Sequence, residues 1–418
     1  MEKIIFYIII GIIVAGYLVE RILSWLNSRK ISTKLPPELE DVYDSEQYSK
    51  QQQYKKDNEK LSYITSTLNT LLILAMIVFG GFAWLDVQVR EFVDHPVWTA
   101  LIFFGVLMFA ADLIGMPFSV YDTFVIEEKY GFNKTTPRVF ILDKLKGWML
   151  SAIIGGGVFA LIIWFYTVTR EMFWIYAWIA VSFFMLFITM FYSTLIVPLF
   201  NKQTPLEEGE LRNEIETFSK KAGFKLDNIF VIDGSKRSTK ANAYFSGIGK
   251  KKRIVLFDTL INDLTNNEIV AVLAHEIGHY KKNHITLGMI ASILQTGLTF
   301  FILSVFIAHP VLSEALGAEQ HSFHLALIAF GILYTPLSII MGLFMNKMSR
   351  YNENKADEFA GQKYKPEPLI SALKKLSSKN LSNLTPHPAY VFFYYSHPPL
   401  LKRIRHLKKI GNRDYQHD

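Results

Sequence analysis

Seven long apolar stretches constrain this chain more than any other feature of its sequence. A helix needs roughly 20 mostly apolar residues to cross about 30 Å of hydrocarbon. Half of the 418 residues are hydrophobic and only 19% are charged, which excludes a disordered chain and disfavours an ordinary soluble enzyme. We therefore predict an α-helical integral membrane protein, with crossings at residues 4–19, 64–85, 97–120, 148–168, 172–199, 287–307 and 323–345.

Basic residues alternate between the connections of these stretches. Eight Lys and Arg fall within residues 19–62 and five within 121–147, whereas the intervening connections carry Arg90, Arg170 and none within 308–322. Positive charge marks the cytoplasmic side of a membrane. We expect seven crossings, with the amino terminus outside or lumenal and the long polar stretches in the cytoplasm. A bacterial inner membrane and an endoplasmic reticulum membrane both fit.

The net charge and the cysteine count limit which partners the protein can have and which residues can bind a metal. The formal net charge is +7, but the predicted topology accounts for the basic residues, and no aromatic-basic recognition motif accompanies them. No nucleic-acid partner is expected. The sequence has no cysteine, so disulfides and Cys-ligated zinc are excluded. Any metal must be held by histidine and carboxylate side chains.

We predict four segments in the chain. Residues 1–200 contain the first five crossings with cytoplasmic loops, and residues 286–347 contain the last two. Residues 201–285 and 348–418 are polar and can meet in one domain, which we expect to be mainly α with a small β-sheet. Its predicted elements are a helix at 205–222, a strand at 229–232 and a hairpin of 242–246 with 253–257 about residues 247–252. We expect residues 36–60 to form an exposed, partly helical loop.

The strongest chemical motif is His-Glu-Ile-Gly-His at residues 275–279, which follows an apolar run and the capping-box sequence at 265–268. Positions i and i+4 of a helix share a face, so His275 and His279 can bind one zinc ion. Glu276 would then take a proton from water beside the metal. The alternative is a polar helix end near the membrane surface. The motif predicts one catalytic Zn²⁺.

A catalytic zinc site needs a third protein ligand in addition to water. Glu353 is the candidate, and Asp357 lies one helical turn beyond it. Asp357 would accept a hydrogen bond from a ligand imidazole and fix its tautomer. Taken alone, this segment is typical of a charged amphipathic helix face, but the two histidines that need a partner favour the ligand assignment.

Two further polar residues carry expectations. His284 lies five residues beyond His279, about 140° round a continuous helix, so we expect a helix-end or interfacial residue rather than a ligand. Asp112 lies inside an apolar run and should face protein or water rather than lipid.

With these motifs the sequence resembles the type I CAAX prenyl proteases, integral-membrane zinc metalloendopeptidases that include the a-factor-converting enzymes. The matching blocks cover nearly the whole chain, in order, at residues 124–134, 198–202, 242–247, 275–279, 353–357 and 396–403. The resemblance implies seven helices that enclose a large water-filled chamber, with a gluzincin-like zinc domain at its cytoplasmic end. It also implies the ligands His275, His279 and Glu353 and the catalytic base Glu276.

The resemblance assigns three more residues to the site. Asn242 and His397 would contact the substrate backbone or the developing oxyanion, and Arg403 would support that site. From the residues alone, His397 with its two prolines is typical of a turn, and Arg403 with its basic neighbours is typical of a solvated basic helix. An amide, an imidazole and a guanidinium can nevertheless each donate to an oxyanion.

The expected function is cleavage near the carboxyl terminus of a prenylated or otherwise membrane-associated peptide or protein. A broad quality-control protease for membrane proteins, without a prenyl requirement, is the nearest alternative. A zinc-stabilised membrane scaffold, channel or lipid-binding protein is the alternative from another class. Such a protein would have a zinc site closed by four protein ligands.

Overall fold

The fold is helical with one small sheet. The computed structural model describes residues 1–30, 35–224, 229–246 and 253–414. The helices are α1 (Glu2–Arg29), α2 (Ser45–Val78), α3 (Gly81–Phe92), α4 (Pro96–Tyr121), α5 (Pro137–Leu150), α6 (Gly156–Thr169), α7 (Phe173–Phe191), α8 (Val197–Phe200), α9 (Glu210–Lys221), α10 (Asp258–Asp263), α11 (Asn266–Lys281), α12 (His284–Ile307), α13 (Val311–Glu314), α14 (Phe323–Lys363), α15 (Pro366–Lys379), α16 (Pro388–Tyr394) and α17 (Leu400–Asp414). The strands are β1 (Gln203–Pro205), β2 (Ile229–Ile232), β3 (Ala243–Ser246) and β4 (Arg253–Phe257).

Six helical runs in the described ranges are long and apolar enough to cross a membrane. They are Glu2–Arg29, Ser45–Val78, Pro96–Glu127, Pro137–Phe200, His284–Ile307 and Phe323–Lys363. The run Pro137–Phe200 has 64 residues, which is about three times the length that crosses a bilayer. At Arg170 its backbone turns at a φ of 47°, and α6 packs against α7. The run therefore has two limbs, and the prediction of seven crossings requires each limb to cross separately.

The second predicted crossing is wrong at its end. The helix stops at Val78, and the backbone of Gly80 adopts a φ of 66°, a left-handed conformation that glycine tolerates. α3 then starts at Gly81 and buries Phe82, Leu85 and Val89. Its apolar residues continued the hydropathy signal of α2, so composition could not separate the two helices.

The segment before this crossing differs from its prediction in burial. Residues 36–60 are predicted to form an exposed, partly helical loop, and α2 begins within them at Ser45. Leu39, Val42 and Tyr43 are buried in a cluster with residues of the carboxyl-terminal part of the chain. The polar residues from Ser45 onward form the first turns of α2, a long helix that packs against the protein on one face.

Asp112 behaves as expected for a carboxylate within an apolar helix. Its two carboxylate oxygens accept hydrogen bonds from Lys144 Nζ at 2.7 Å and Trp148 Nε1 at 2.9 Å, both on α5. The carboxylate is therefore paired with protein groups, and 34% of the side chain is exposed.

Residues on both sides of the α12–α14 segment share one hydrophobic core. This core joins α9, α10 and α11 to α15 and α17, and it includes Ile215, Ile254, Leu273, Leu369 and Leu407. The two polar stretches thus pack together, as their positions in the sequence suggested. The exact domain boundaries and the enclosed chamber stay predictions.

The sheet lies beside this core in the order β1-β2-β4-β3. β2 pairs in parallel with β4, and the other two pairings are antiparallel. The predicted strand 229–232 and the pairing of the predicted hairpin strands are confirmed, whereas the turn at 247–252 lies outside the described residues. The predicted helix at 205–222 starts only at Glu210, and β1 was missed. β3 forms an edge of the sheet.

Candidate metal centre

The helix with the metal motif, α11, starts at a full capping box. Thr265 Oγ1 accepts from the backbone N–H of Glu268, and Glu268 Oε2 accepts from the backbone N–H of Thr265 at 2.8 Å. Glu268 also accepts from Ser371 and Lys375 of α15, at 2.6 and 2.8 Å. Burial raises the pKa of the Glu268 carboxyl, but these donors outweigh it and bring the pKa below its ordinary value. The cap therefore fixes the start of the helix and ties it to α15.

The histidines of the motif lie together near the end of α11. His275 Nε2 and His279 Nε2 are 3.1 Å apart. Two nitrogens that bind one tetrahedral zinc ion at about 2.0–2.1 Å lie about 3.3 Å from each other. The separation of the two imidazoles thus suits a shared metal ion.

α14 brings the third candidate ligand to the two histidines. Glu353 Oε1 lies 3.2 Å from His279 Nε2, and Glu353 Oε2 lies 3.4 Å from His275 Nε2. Oε2 is buried and has no hydrogen-bond partner within the described ranges. One ligand atom from each of the three residues lies within 4.8 Å of the others. Two imidazole nitrogens and a buried carboxylate with one unpartnered oxygen make a donor set that fits a divalent metal.

The other ring nitrogen of His275, Nδ1, faces Asp357, which lies one helical turn beyond Glu353. His275 Nδ1 lies 2.9 Å from Asp357 Oδ1. Burial and the Arg403 guanidinium lower the pKa of His275, but the neighbouring carboxylates of Asp357 and Glu353 outweigh them and raise the pKa to about 9. The carboxylates thus create a negative potential at this imidazole, which also favours a cation bound to its Nε2.

Arg403 is buried, contrary to the solvated basic helix that its neighbours suggested. Only 9% of the residue is exposed, and the guanidinium binds Asp357 through Nε at 2.9 Å and Nη2 at 2.6 Å. Its Nη1 lies 3.7 Å from Glu353 Oε2. Lys402, Arg405, Lys408 and Lys409 do lie on the exposed face of α17. Arg403 points the other way, and its guanidinium contacts the carboxylates of Asp357 and the candidate ligand Glu353.

His284 contacts the second ligand histidine, which the sequence did not reveal. Its Nδ1 lies 3.1 Å from Nδ1 of His279, and it is buried at the first position of α12. The predicted angle assumed a continuous helix, but Asn283 turns the chain with a φ of 57°. Asparagine is one of the few side chains that adopt this conformation readily. This asparagine is a local signal that the helix can end here, which the predicted angle did not use.

The site opens onto a cleft of about 460 Å³. Its lining includes Glu276, Asn242 and His397 together with the three candidate ligands. Asn242 immediately precedes the edge strand β3, and its Oδ1 accepts from the backbone N–H of Ala243 at 2.8 Å. His397 Nε2 lies 3.2 Å from Glu353 Oε1, although 63% of its side chain is exposed. Every residue that the sequence proposed for the site therefore lies at this cleft or directly behind it.

This geometry can hold one metal ion, expose it on one side to a cleft, and place a carboxylate beside it. Metal-assisted hydrolysis is the chemistry that such a site performs. The edge strand at the rim of the cleft can pair with an extended peptide.

Comparisons with known proteins agree with this chemistry. Residues 25–202 match the family described as CAAX prenyl protease N-terminal, five membrane helices, and residues 205–411 match peptidase family M48. CAAX prenyl protease 1 of Saccharomyces cerevisiae is 35% identical, over 97% of this chain and 96% of the relative. The CAAX prenyl protease 1 homolog of Arabidopsis thaliana is 37% identical, over 95% and 96% respectively.

A solved structure shows the same fold. The crystal structure of S. mikatae Ste24p matches with a TM-score of 0.91 and 35% identity, covering 97% of this chain and 99% of that chain. Since these similarities extend along nearly the entire sequence, the protein is a multi-pass membrane metalloendopeptidase and belongs to peptidase family M48, among the CAAX prenyl proteases.

Proposed function

We propose that the protein is a zinc-dependent endopeptidase that cleaves prenylated CAAX-type substrates near their carboxyl terminus. The observation that carries the proposal is the group of His275, His279 and Glu353, whose ligand atoms converge beside an open cleft. The names of the relatives, CAAX prenyl protease 1 and its homologs, support the substrate class.

Each residue of the site has a role in this proposal. His275, His279 and Glu353 hold the metal, and Asp357 fixes the tautomer of His275 while Arg403 holds Asp357. Zinc held by these residues would supply Lewis-acid chemistry for a water molecule and the scissile carbonyl. Glu276 accepts a proton from the attacking water and passes it to the leaving amine. Asn242 and His397 donate to the substrate backbone or to the negative charge that develops on the carbonyl oxygen.

A peptide comparison tests the substrate class. The purified protein, loaded with zinc, is given a farnesylated CAAX peptide and its unmodified twin, and kcat/KM is measured for both. We expect the farnesylated peptide to be strongly preferred. Equal kcat/KM values would favour the broad quality-control protease instead.

Two variants test the assigned roles. Glu276→Ala should retain zinc and lose turnover by about 10²–10⁴-fold, the usual contribution of a general base. Undiminished turnover would remove Glu276 as the base. Glu353→Ala should lower the zinc content of the purified protein, and stoichiometric zinc in that variant would place the third ligand elsewhere.

The group of three ligands also bears on the structural-zinc alternative. A scaffold, channel or lipid-binding protein with structural zinc needs a fourth protein ligand. Among the residues that the structure describes, the candidate metal group has three members. This supports an open catalytic position.

We also propose that the zinc domain faces the cytoplasm and the amino terminus the opposite side. The excess of Lys and Arg in residues 19–62 and 121–147 supports this orientation. The chain has no cysteine, so single introduced cysteines report cleanly on sidedness. Exposed His309, changed to Cys, should react with an impermeant thiol reagent added outside, and exposed Lys236, changed to Cys, only after permeabilisation. The reverse labelling pattern would invert the topology.

A further inference from the structure

One face of α14 carries four polar side chains at helical spacing. Asn346, Arg350, Glu353 and Asp357 lie four, three and four residues apart, so they form a single row along the helix. Glu353 and Asp357 belong to the metal centre described above. Asn346 and Arg350 continue the same row away from it and have no role in the proposed function so far.

The first two residues of this row bind the end of α16. Asn346 Nδ2 donates to the carbonyl oxygen of Phe393 at 2.7 Å. Arg350 Nη1 donates to the carbonyl oxygens of Val391, at 3.3 Å, and of Tyr395. The last carbonyls of a helix have no partner within that helix. α14 therefore supplies side-chain donors that cap the carboxyl end of α16.

His397 lies two residues beyond Tyr395, whose carbonyl oxygen Arg350 binds. Its imidazole is largely exposed, yet its Nε2 lies 3.2 Å from Glu353 Oε1. An exposed side chain receives little positioning from packing, so its place beside Glu353 depends on the path of the backbone. On the other side of His397, α17 starts at Leu400, and Arg403 binds Asp357 of the same row. The short connection that carries His397 is thus anchored at both ends to α14.

We propose that Asn346 and Arg350 are positioning residues for His397. They hold the backbone of the α16–α17 connection so that the His397 imidazole stays at the metal centre when substrate is bound. This inference rests on the proposed function, in which His397 donates to the reacting carbonyl. A displacement of about 1 Å in such a group can reduce the rate by about 10²-fold.

The test removes the donors while it preserves bulk. Arg350→Met replaces the side chain by an unbranched apolar one without the guanidinium, and Asn346→Leu keeps the branched shape of Asn346. For each variant we expect turnover of the farnesylated CAAX peptide to fall by about 10–100-fold in kcat, with KM changed little and zinc content stoichiometric. Arg350→Lys, which retains one donor group, should recover part of the loss. Exposed Lys347→Met on the same helix is the matched control and should keep wild-type kcat.

A double variant distinguishes positioning from a general structural effect. If Arg350 acts through His397, then Arg350→Met combined with His397→Ala should be no slower than His397→Ala alone. If the loss of kcat in the double variant equals the product of the losses in the two single variants, the inference is overturned. Wild-type kcat or lost zinc in Arg350→Met would also overturn it. If Arg350→Met does not fold, Asn346→Leu goes through the same cycle.

The two proposals fail in different ways. Absence of zinc-dependent cleavage by the wild-type protein would refute the proposed function. Wild-type kcat in His397→Ala, with cleavage still dependent on zinc, would leave that function standing but remove both the role of His397 and the positioning role of Arg350.

Discussion

Replacement of Asp357 by Asn is the most informative single change behind the metal ligands. Asp357 is 0% exposed and joins three elements, because it lies on α14 and binds His275 of α11 and Arg403 of α17. The asparagine has the same shape but no charge, and its amide nitrogen faces donors on at least one side. The change therefore removes the tautomer control of His275 and the charge partner of Arg403 together.

The size of both effects follows from these contacts. Loss of a group that orients a metal-ligating imidazole typically weakens metal binding by about 10–100-fold, or about 1.4–2.7 kcal/mol. Removal of one partner of a buried ion pair costs about 3–5 kcal/mol of stability. Arg403 Nη1 still lies 3.7 Å from Glu353 Oε2 and retains a second carboxylate, so we expect the lower end of that range.

Zinc affinity by chelator competition and thermal unfolding of the detergent-solubilised protein measure the two effects separately. The control is Glu358→Gln, one residue along the helix, where the carboxylate pairs with Lys355 at the surface at 2.8 Å. A surface pair contributes at most about 1 kcal/mol, so this control should keep wild-type zinc affinity. If Asp357→Asn also binds zinc with wild-type affinity, the reasoning about its role is refuted.

Three further changes probe other parts of the site. A Cβ at Gly278 would meet the backbone of Ala356 at 3.1 Å, so Gly278→Ala should separate α11 from α14 and lower both zinc affinity and the unfolding temperature. His284→Leu should weaken zinc binding, by about 10-fold or more in chelator competition, because His279 loses its partner; unchanged affinity would contradict this. The pKa of Glu268 is lowered on folding, so its contribution to stability is present above about pH 4.5 and fades as the pH falls below it. Glu268→Gln should therefore lower the unfolding temperature at neutral pH, with the difference from wild type closing in acid.

Much of the site could be predicted from local sequence because its chemistry is local. The spacing of His275 and His279 places both on one face of any helix, and the capping box at Thr265 predicts where that helix begins. Membrane-length apolar runs are also recognisable in the sequence, since a helix in lipid needs an apolar surface over a defined length. Glu353 and Asp357 could be proposed for the same reason, as a pair of carboxylates one turn apart.

The remaining features depend on which surfaces meet. Periodicity tells which face of a helix is polar but not which other helix it contacts, so the burial of Arg403 against Asp357 could not be told from a solvated basic helix. The contact of His284 with His279 depends on the break at Asn283 between α11 and α12, whereas the predicted angle assumed one continuous helix. The division of α2 from α3 at Gly80 was hidden because apolar composition continues across it. Sequence alone therefore determined the metal motif and the membrane-spanning character. Only the tertiary structure decided which helices the polar row of α14 contacts, namely α11, α16 and α17, because those contacts join residues far apart in the chain.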